Sequence, residues 1–128
     1  MDAYTGRLIT WQRSAFDHKT FLRYLQEVQT RYPRAERIYI ALDNWPVHFQ
    51  PDVLAGLASS KITLVFLPTY APWLNPIEKV WRKLKQEVLH LHRYSSRWKD
   101  LQERVDDWLL QYDRPAPDLL HYVGLLPD

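Results

Sequence analysis

The order of apolar runs predicts an α/β fold with an at least partly parallel sheet: strand, helix, strand, helix, strand, helix, helix. Two runs, Arg37 to Leu42 and Ile62 to Leu67, are nearly unbroken in apolar residues, as in strands covered on both faces. Between and after them, apolar residues recur at three- and four-residue spacing, the period of an amphipathic helix. There are no internal repeats, and three glycines in the whole chain leave little room for a glycine-rich phosphate loop.

Tyr4 to Trp11 reads as a first strand, entered through a turn at Thr5-Gly6. Asp17 suits a helix N-cap, and Phe21, Leu22, Leu25, Val28 and Tyr32 then share one helical face until Pro33 ends the helix. Pro46 and Pro51 bracket a loop, and Pro51 suits the opening of a short helix through Leu57. Pro68 to Trp73, with prolines at 68 and 72, is expected to be irregular. A long helix follows, its stripe formed by Ile77, Val80, Trp81, Leu84, Val88 and Leu91. A last helix, from about Trp98 to Tyr112, places Leu101, Val105, Trp108, Leu109 and Tyr112 on one side. From Pro115 onward the sequence shows three prolines and no clear period, so residues 113–128 are expected to be a C-terminal tail on a domain of residues 1–112.

At 128 residues the chain is long enough for one domain burying roughly two thirds of its unfolded surface. Its 46% apolar content, with six Trp and eight Tyr, argues for a packed core rather than disorder. The absence of cysteine excludes disulfides, thiolate metal sites and cysteine nucleophiles. The first residues carry neither a basic segment nor an apolar core, and no apolar stretch approaches the roughly 18 residues that cross a membrane. A soluble, cytoplasmic protein is therefore expected. The net charge of +2 says little, but between Lys79 and Arg104 eight Lys or Arg face only three acidic residues, with Tyr94 and Trp98 interleaved. Such a segment suits either a phosphate backbone or an ordinary solvated helix face.

Two carboxylates stand where an α/β fold places ligands. Asp43 ends an apolar run, at the carboxyl end of a strand, where open sheets form their binding crevice; Asp43-Asn44 equally suits a simple turn. Glu78 follows Asn75-Pro76-Ile77, so Asn75 suits the N-cap, Pro76 the first helical position and Glu78 the third. That capping-box arrangement accounts for a glutamate without any metal. His48, five residues after Asp43, reads as a loop histidine or as a contact to phosphate or water. His90 and His92 point to different helix faces and do not suit one metal. Trp45 and Trp73 lie in the loops beside the carboxylates and could stack on a base or sugar, whereas Trp81, Trp98 and Trp108 fit apolar stripes.

Taken together, Asp43-Asn44 with His48, and Leu67-Pro68-Thr69-Tyr70-Ala71-Pro72-Trp73-Leu74-Asn75-Pro76-Ile77-Glu78-Lys79-Val80-Trp81, resemble the signature of the mariner-related bacterial insertion-sequence transposases. The similarity extends more weakly from Tyr4 to about Val105. Trp73 and Ala71 depart from the residues usual in that family. The resemblance implies a ribonuclease-H-like domain, here an incomplete one with a short mixed sheet flanked by helices. It also implies an Asp, Asp, Glu triad holding two Mg²⁺ (or Mn²⁺) ions, which clamp the attacking and leaving oxygens of an in-line displacement on DNA. Asp43 would be the second acid and Glu78 the third, both as metal ligands, with Lys79, Arg82, Lys83, Lys85 and His48 toward DNA.

The first acid of such a triad belongs on a central strand upstream of the Thr5-Gly6 turn. Asp2 precedes a strand rather than sitting inside an apolar run, so it does not suit that role. The expectation is a C-terminal part of a transposase, from a split or decayed gene or an engineered fragment, with little cleavage activity alone. Without the central strand, open strand edges should pair: Arg37 to Leu42 with Tyr4 to Trp11, chain with chain in a homo-oligomer, or with a separate N-terminal transposase chain. Two other classes are a non-catalytic remnant that binds DNA or modulates an intact transposase, and a different ribonuclease-H-like nuclease or resolvase.

Overall fold

A computed structural model describes residues 1–90 and 97–127. The chain forms two compact units, Trp11–Asn75 and a second one combining Met1–Thr10 with the residues from Pro76 onward. Each has its own apolar core.

In the Trp11–Asn75 unit, helix α1 spans His18–Arg31. Asp17 is its extended N-cap, and its side chain accepts from Thr20 N at 2.8 Å, which satisfies one of the helix's unpaired N–H groups. The expected face is the buried one: Phe21, Leu25 and Val28 are buried, with Leu22 packed against the same core. Tyr32 ends the helix ahead of Pro33. Strand β1 (Ile38–Leu42) pairs in parallel with β2 (Ile62–Phe66), Ile38 opposite Ile62 and Leu42 opposite Phe66. Helix α2 (Pro51–Leu57) makes the crossover and opens, as expected, on Pro51.

The strands are not covered on both faces. Ile38, Ile40, Leu42, Ile62, Leu64 and Phe66 belong to the core, whereas Tyr39 is 68% exposed and Ala41 and Val65 are also exposed. Alternation along each strand sends neighbours to opposite faces, and an apolar run alone does not reveal that one face is open.

Tyr4 to Trp11 is not a strand, and β1 pairs with β2 instead of with it. The expected mixed sheet is therefore, among the described residues, a two-stranded parallel one. The early segment is held by helical loops of its own unit. Leu8 N donates to Tyr112 O at 2.8 Å and Ala116 N to Thr5 O at 2.6 Å, while the Leu8 side chain enters the core. The Thr5-Gly6 turn does form. Asp2 Oδ1 accepts from Tyr4 N and Thr5 N, and Gly6 adopts φ +75. A Cβ at Gly6 would stand 2.2 Å from Ala116 O, so glycine is required there on both counts.

The second unit is otherwise helical: α3 (Ile77–Leu84), α4 (Trp98–Leu110) and α5 (Pro117–Val123). Val80, Leu84, Val88, Trp108, Leu109 and Tyr112 meet in its core, largely as the helical spacing predicts. Trp98 and Trp81 correct that reading: Trp98 is 67% exposed and Trp81 lies at the exposed margin of its stripe. Past Leu84 the helix widens into a π turn over Lys85–Leu89, with His90 N reaching Lys85 O at 2.9 Å. The expectations for Leu91, His92 and Tyr94 lie outside the described residues.

The segment after Pro115 contains a helix the periodicity did not suggest. α5 buries Leu119, Leu120 and Val123 and ends on Gly124 at φ +82. Pro117 at its first position, Asp118 in its first turn and Gly124 at its end are ordinary start and stop signals. Seven residues are too few for a period to show.

Candidate active site

The carboxyl end of the parallel sheet is built by local hydrogen bonds. The ladder runs one step beyond the strands through Leu67 N to Leu42 O at 2.9 Å. Asn44 then ties the two strand ends together, its Nδ2 donating to Leu67 O at 2.9 Å and to Thr69 Oγ1 at 3.1 Å. Asp43 stands between these anchors with its side chain 71% exposed. Its Oδ1 accepts from Trp45 N at 3.3 Å, so the turn expected at Asp43-Asn44 is present. Turn and ligand readings are compatible, because the turn bond engages one oxygen of an otherwise open carboxylate.

His48 lies on the 3₁₀ turn Pro46–Phe49 and is buried. Its ring packs against Phe21 at 4.7 Å and meets the Trp45 ring edge-on at 5.6 Å, and Trp45 in turn stacks on Phe16. His48 Nδ1 lies 3.0 Å from Asp43 O and 3.2 Å from Asp43 Oδ1. A carbonyl oxygen can only accept, so Nδ1 carries the hydrogen. The structure thus brings Asp43 and His48 together.

Glu78 lies in the first turn of α3, exposed, in the other unit. Asn75 is extended (φ −97, ψ 106), and Pro76 (φ −58, ψ −25) takes the cap position without a side-chain cap hydrogen bond, so the cap expected at Asn75 is displaced by one residue. The hydrogen-bonded helix begins one residue later, at Ile77. Placed there, a carboxylate also complements the positive end of the helix dipole.

The four cations predicted to face DNA divide into two pairs. Lys79 Nζ donates to Val123 O at 2.9 Å, closing the end of α5. Lys83 Nζ donates to Glu87 Oε1 and lies over the Tyr122 ring at 4.9 Å. The hydrogen bond from Lys83 to Glu87 raises the Lys83 pKa above its ordinary value. Glu87 Oε2 accepts from Trp108 Nε1 at 2.7 Å, which completes a small network within this unit. Arg82 and Lys85 are exposed. Sequence reading counted Glu87 only as a negative charge. Its position four residues after Lys83 was the available signal.

Hard, exposed carboxylate oxygens such as those of Asp43 and Glu78 suit Mg²⁺ or Mn²⁺. Among the described residues, no group of three or more His, Asp or Glu side chains is gathered to hold a metal.

No solved structure matches the chain. It is similar to a curated protein of Shigella sonnei described as the insertion element IS630 uncharacterized 39 kDa protein, with 29% identity over 100 residues. That match covers 77% of this chain but 29% of the relative, so the chain spans less than a third of the relative's length. The family model described as DDE superfamily endonuclease matches residues 1–102. The protein therefore belongs to the DDE superfamily endonuclease family.

Proposed function

We propose that the chain carries part of the catalytic machinery of an insertion-sequence transposase with a ribonuclease-H-like core, in which Asp43 and Glu78 are metal-ligating carboxylates. The observation that supports this best is Asp43 itself. It is an exposed carboxylate at the carboxyl end of a parallel strand, with one oxygen steadied by neighbouring donors. When bound, Mg²⁺ or Mn²⁺ would stabilise the charge developing on the reacting phosphate oxygens. Asp43 and Glu78 contribute negative oxygen ligands. Asn44 holds the two strand ends in register, and the aromatic residues around His48 keep that imidazole out of water.

DNA is the partner this reading assigns. Arg82 and Lys85 present charge to the phosphate backbone, with Lys79 and Lys83 adding to the local potential from their internal contacts. Two carboxylates hold one Mg²⁺ only weakly, so on this reading the isolated chain has little or no strand-cleavage activity. A second reading is a non-catalytic family member that binds DNA or modulates an intact transposase by assembly.

The test is incubation of the purified chain with Mg²⁺ or Mn²⁺ and duplex DNA carrying insertion-element ends. Salt-dependent binding without cleavage is expected. Robust metal-dependent cutting, lost in Glu78→Gln, would contradict the inactivity while supporting the ligand assignment. Failure to bind DNA at low salt would overturn the assignment of DNA as partner.

A further inference from the structure

We propose that His48 is a positioning residue for the Asp43 carboxylate: its Nδ1–H grips the main-chain carbonyl of Asp43 while standing beside Oδ1, and so fixes the carboxylate for metal binding. This rests on the reading of Asp43 as a metal ligand.

The geometry has three parts. First, the imidazole is placed by packing. It is buried on a short 3₁₀ turn, pinned through His48 N to Trp45 O at 2.9 Å and held against the rings of Phe21 and Trp45. Second, the same ring nitrogen addresses two atoms of one residue, Asp43 O at 3.0 Å and Asp43 Oδ1 at 3.2 Å. One hydrogen between the carbonyl and the carboxylate couples the side-chain torsions of Asp43 to its backbone. Third, Trp45 N approaches that same Oδ1 at 3.3 Å. Both contacts favour one oxygen, which leaves Oδ2 as the natural ligand atom and predicts monodentate coordination. An exposed carboxylate without such support samples several rotamers and must be ordered when the ion binds. Groups that orient a metal ligand typically affect metal affinity by about 10–100-fold.

The experiment measures Mn²⁺ affinity by calorimetry beside thermal unfolding, in the full chain and in His48→Phe, His48→Asn, His48→Gln and Asp43→Asn. His48→Phe keeps an apolar ring in the aromatic cage without a donor. Its Mn²⁺ affinity is expected to fall about tenfold or more while a cooperative unfolding transition remains. The amide of Asn overlays Nδ1 and should recover most of the affinity. That of Gln overlays Nε2 and should not. If the Phe variant does not fold, the Asn and Gln variants decide: equal affinities in the two overturn the proposal. Unchanged affinity in His48→Phe, with binding abolished in Asp43→Asn, removes the positioning role and leaves the ligand role standing. Unchanged affinity in Asp43→Asn overturns the ligand assignment and this inference with it.

Discussion

Trp108 Nε1 and Glu87 Oε2 are joined by a 2.7 Å hydrogen bond that links α4 to the π turn after α3, and Lys83 closes the other side of the same carboxylate. Desolvation is the largest single influence on Glu87 and pushes its carboxyl up. The hydrogen bonds from Lys83 and Trp108 and the Lys83 charge outweigh it and hold the carboxyl below its ordinary 4.5. A carboxyl lowered by folding contributes stability that is present above pH 4.5 and is lost as the pH falls through the folded-state value. Glu87→Ala, which strands the indole N–H, should cost about 1–2 kcal/mol at pH 7. In urea titrations the gap to the parent chain should narrow as the pH drops below 4.5; a constant gap would contradict the network.

Gly6 and Gly124 both have positive φ, but only Gly6 is also crowded by backbone. Gly6→Ala drives a methyl into the Ala116 carbonyl and should cost about 2–3 kcal/mol. Gly124→Ala meets only the Lys79 ammonium, at 3.4 Å, and should cost about 1 kcal/mol. Thermal unfolding of the two variants checks the order; equal losses would show that the turn at Gly6 can move away from Ala116.

On the proposed DNA reading, the division among the basic residues should appear in DNA affinity. Arg82→Glu with Lys85→Glu should weaken binding and flatten its salt dependence, read by fluorescence anisotropy across a salt series. Lys79→Met should instead lower stability by about 0.5–1 kcal/mol, through loss of the bond to Val123 O and of a cation at the end of α5. A salt slope unchanged by the double reversal would exclude this face from DNA contact.

Much of the Trp11–Asn75 unit was legible because its signals are local. Asp17 caps, Pro51 opens a helix and two apolar runs pair. The start of α3 was likewise visible to within one residue, although its cap is Pro76 and not Asn75. Tyr4 to Trp11 misled because extended backbone and strand read alike until a partner is known, and its partners, Tyr112 and Ala116, lie about a hundred residues away. α5 escaped through brevity. The contact of His48 with Asp43 could not be read from a five-residue spacing, since it depends on the 3₁₀ turn and on Phe21 arriving from α1. In the same way, the spacing of Lys79 and Lys83 suggested a phosphate-facing row but could not show that Val123 and Glu87 engage their ammonium groups.

In the parallel ladder Ile38, Ile40 and Leu42 direct their backbone groups to β2, so those of Tyr39 and Ala41 point away from it. Among the described residues no strand pairs with that edge, and such an edge invites another strand. Homo-oligomerisation through it should appear in light scattering at micromolar concentration, and Ala41→Pro, which removes an outward N–H, should shift the population toward monomer. A monomeric parent chain would exclude that route.

The assignment of Asp43 and Glu78 as metal ligands is tested most directly by Mn²⁺ titration followed through paramagnetic broadening of amide resonances. Broadening is expected first around Asp43-Asn44 and around Ile77-Glu78, with Asp43→Asn reducing it at the first and Glu78→Gln at the second. Broadening confined to other carboxylates, or unaffected by either substitution, would contradict the account.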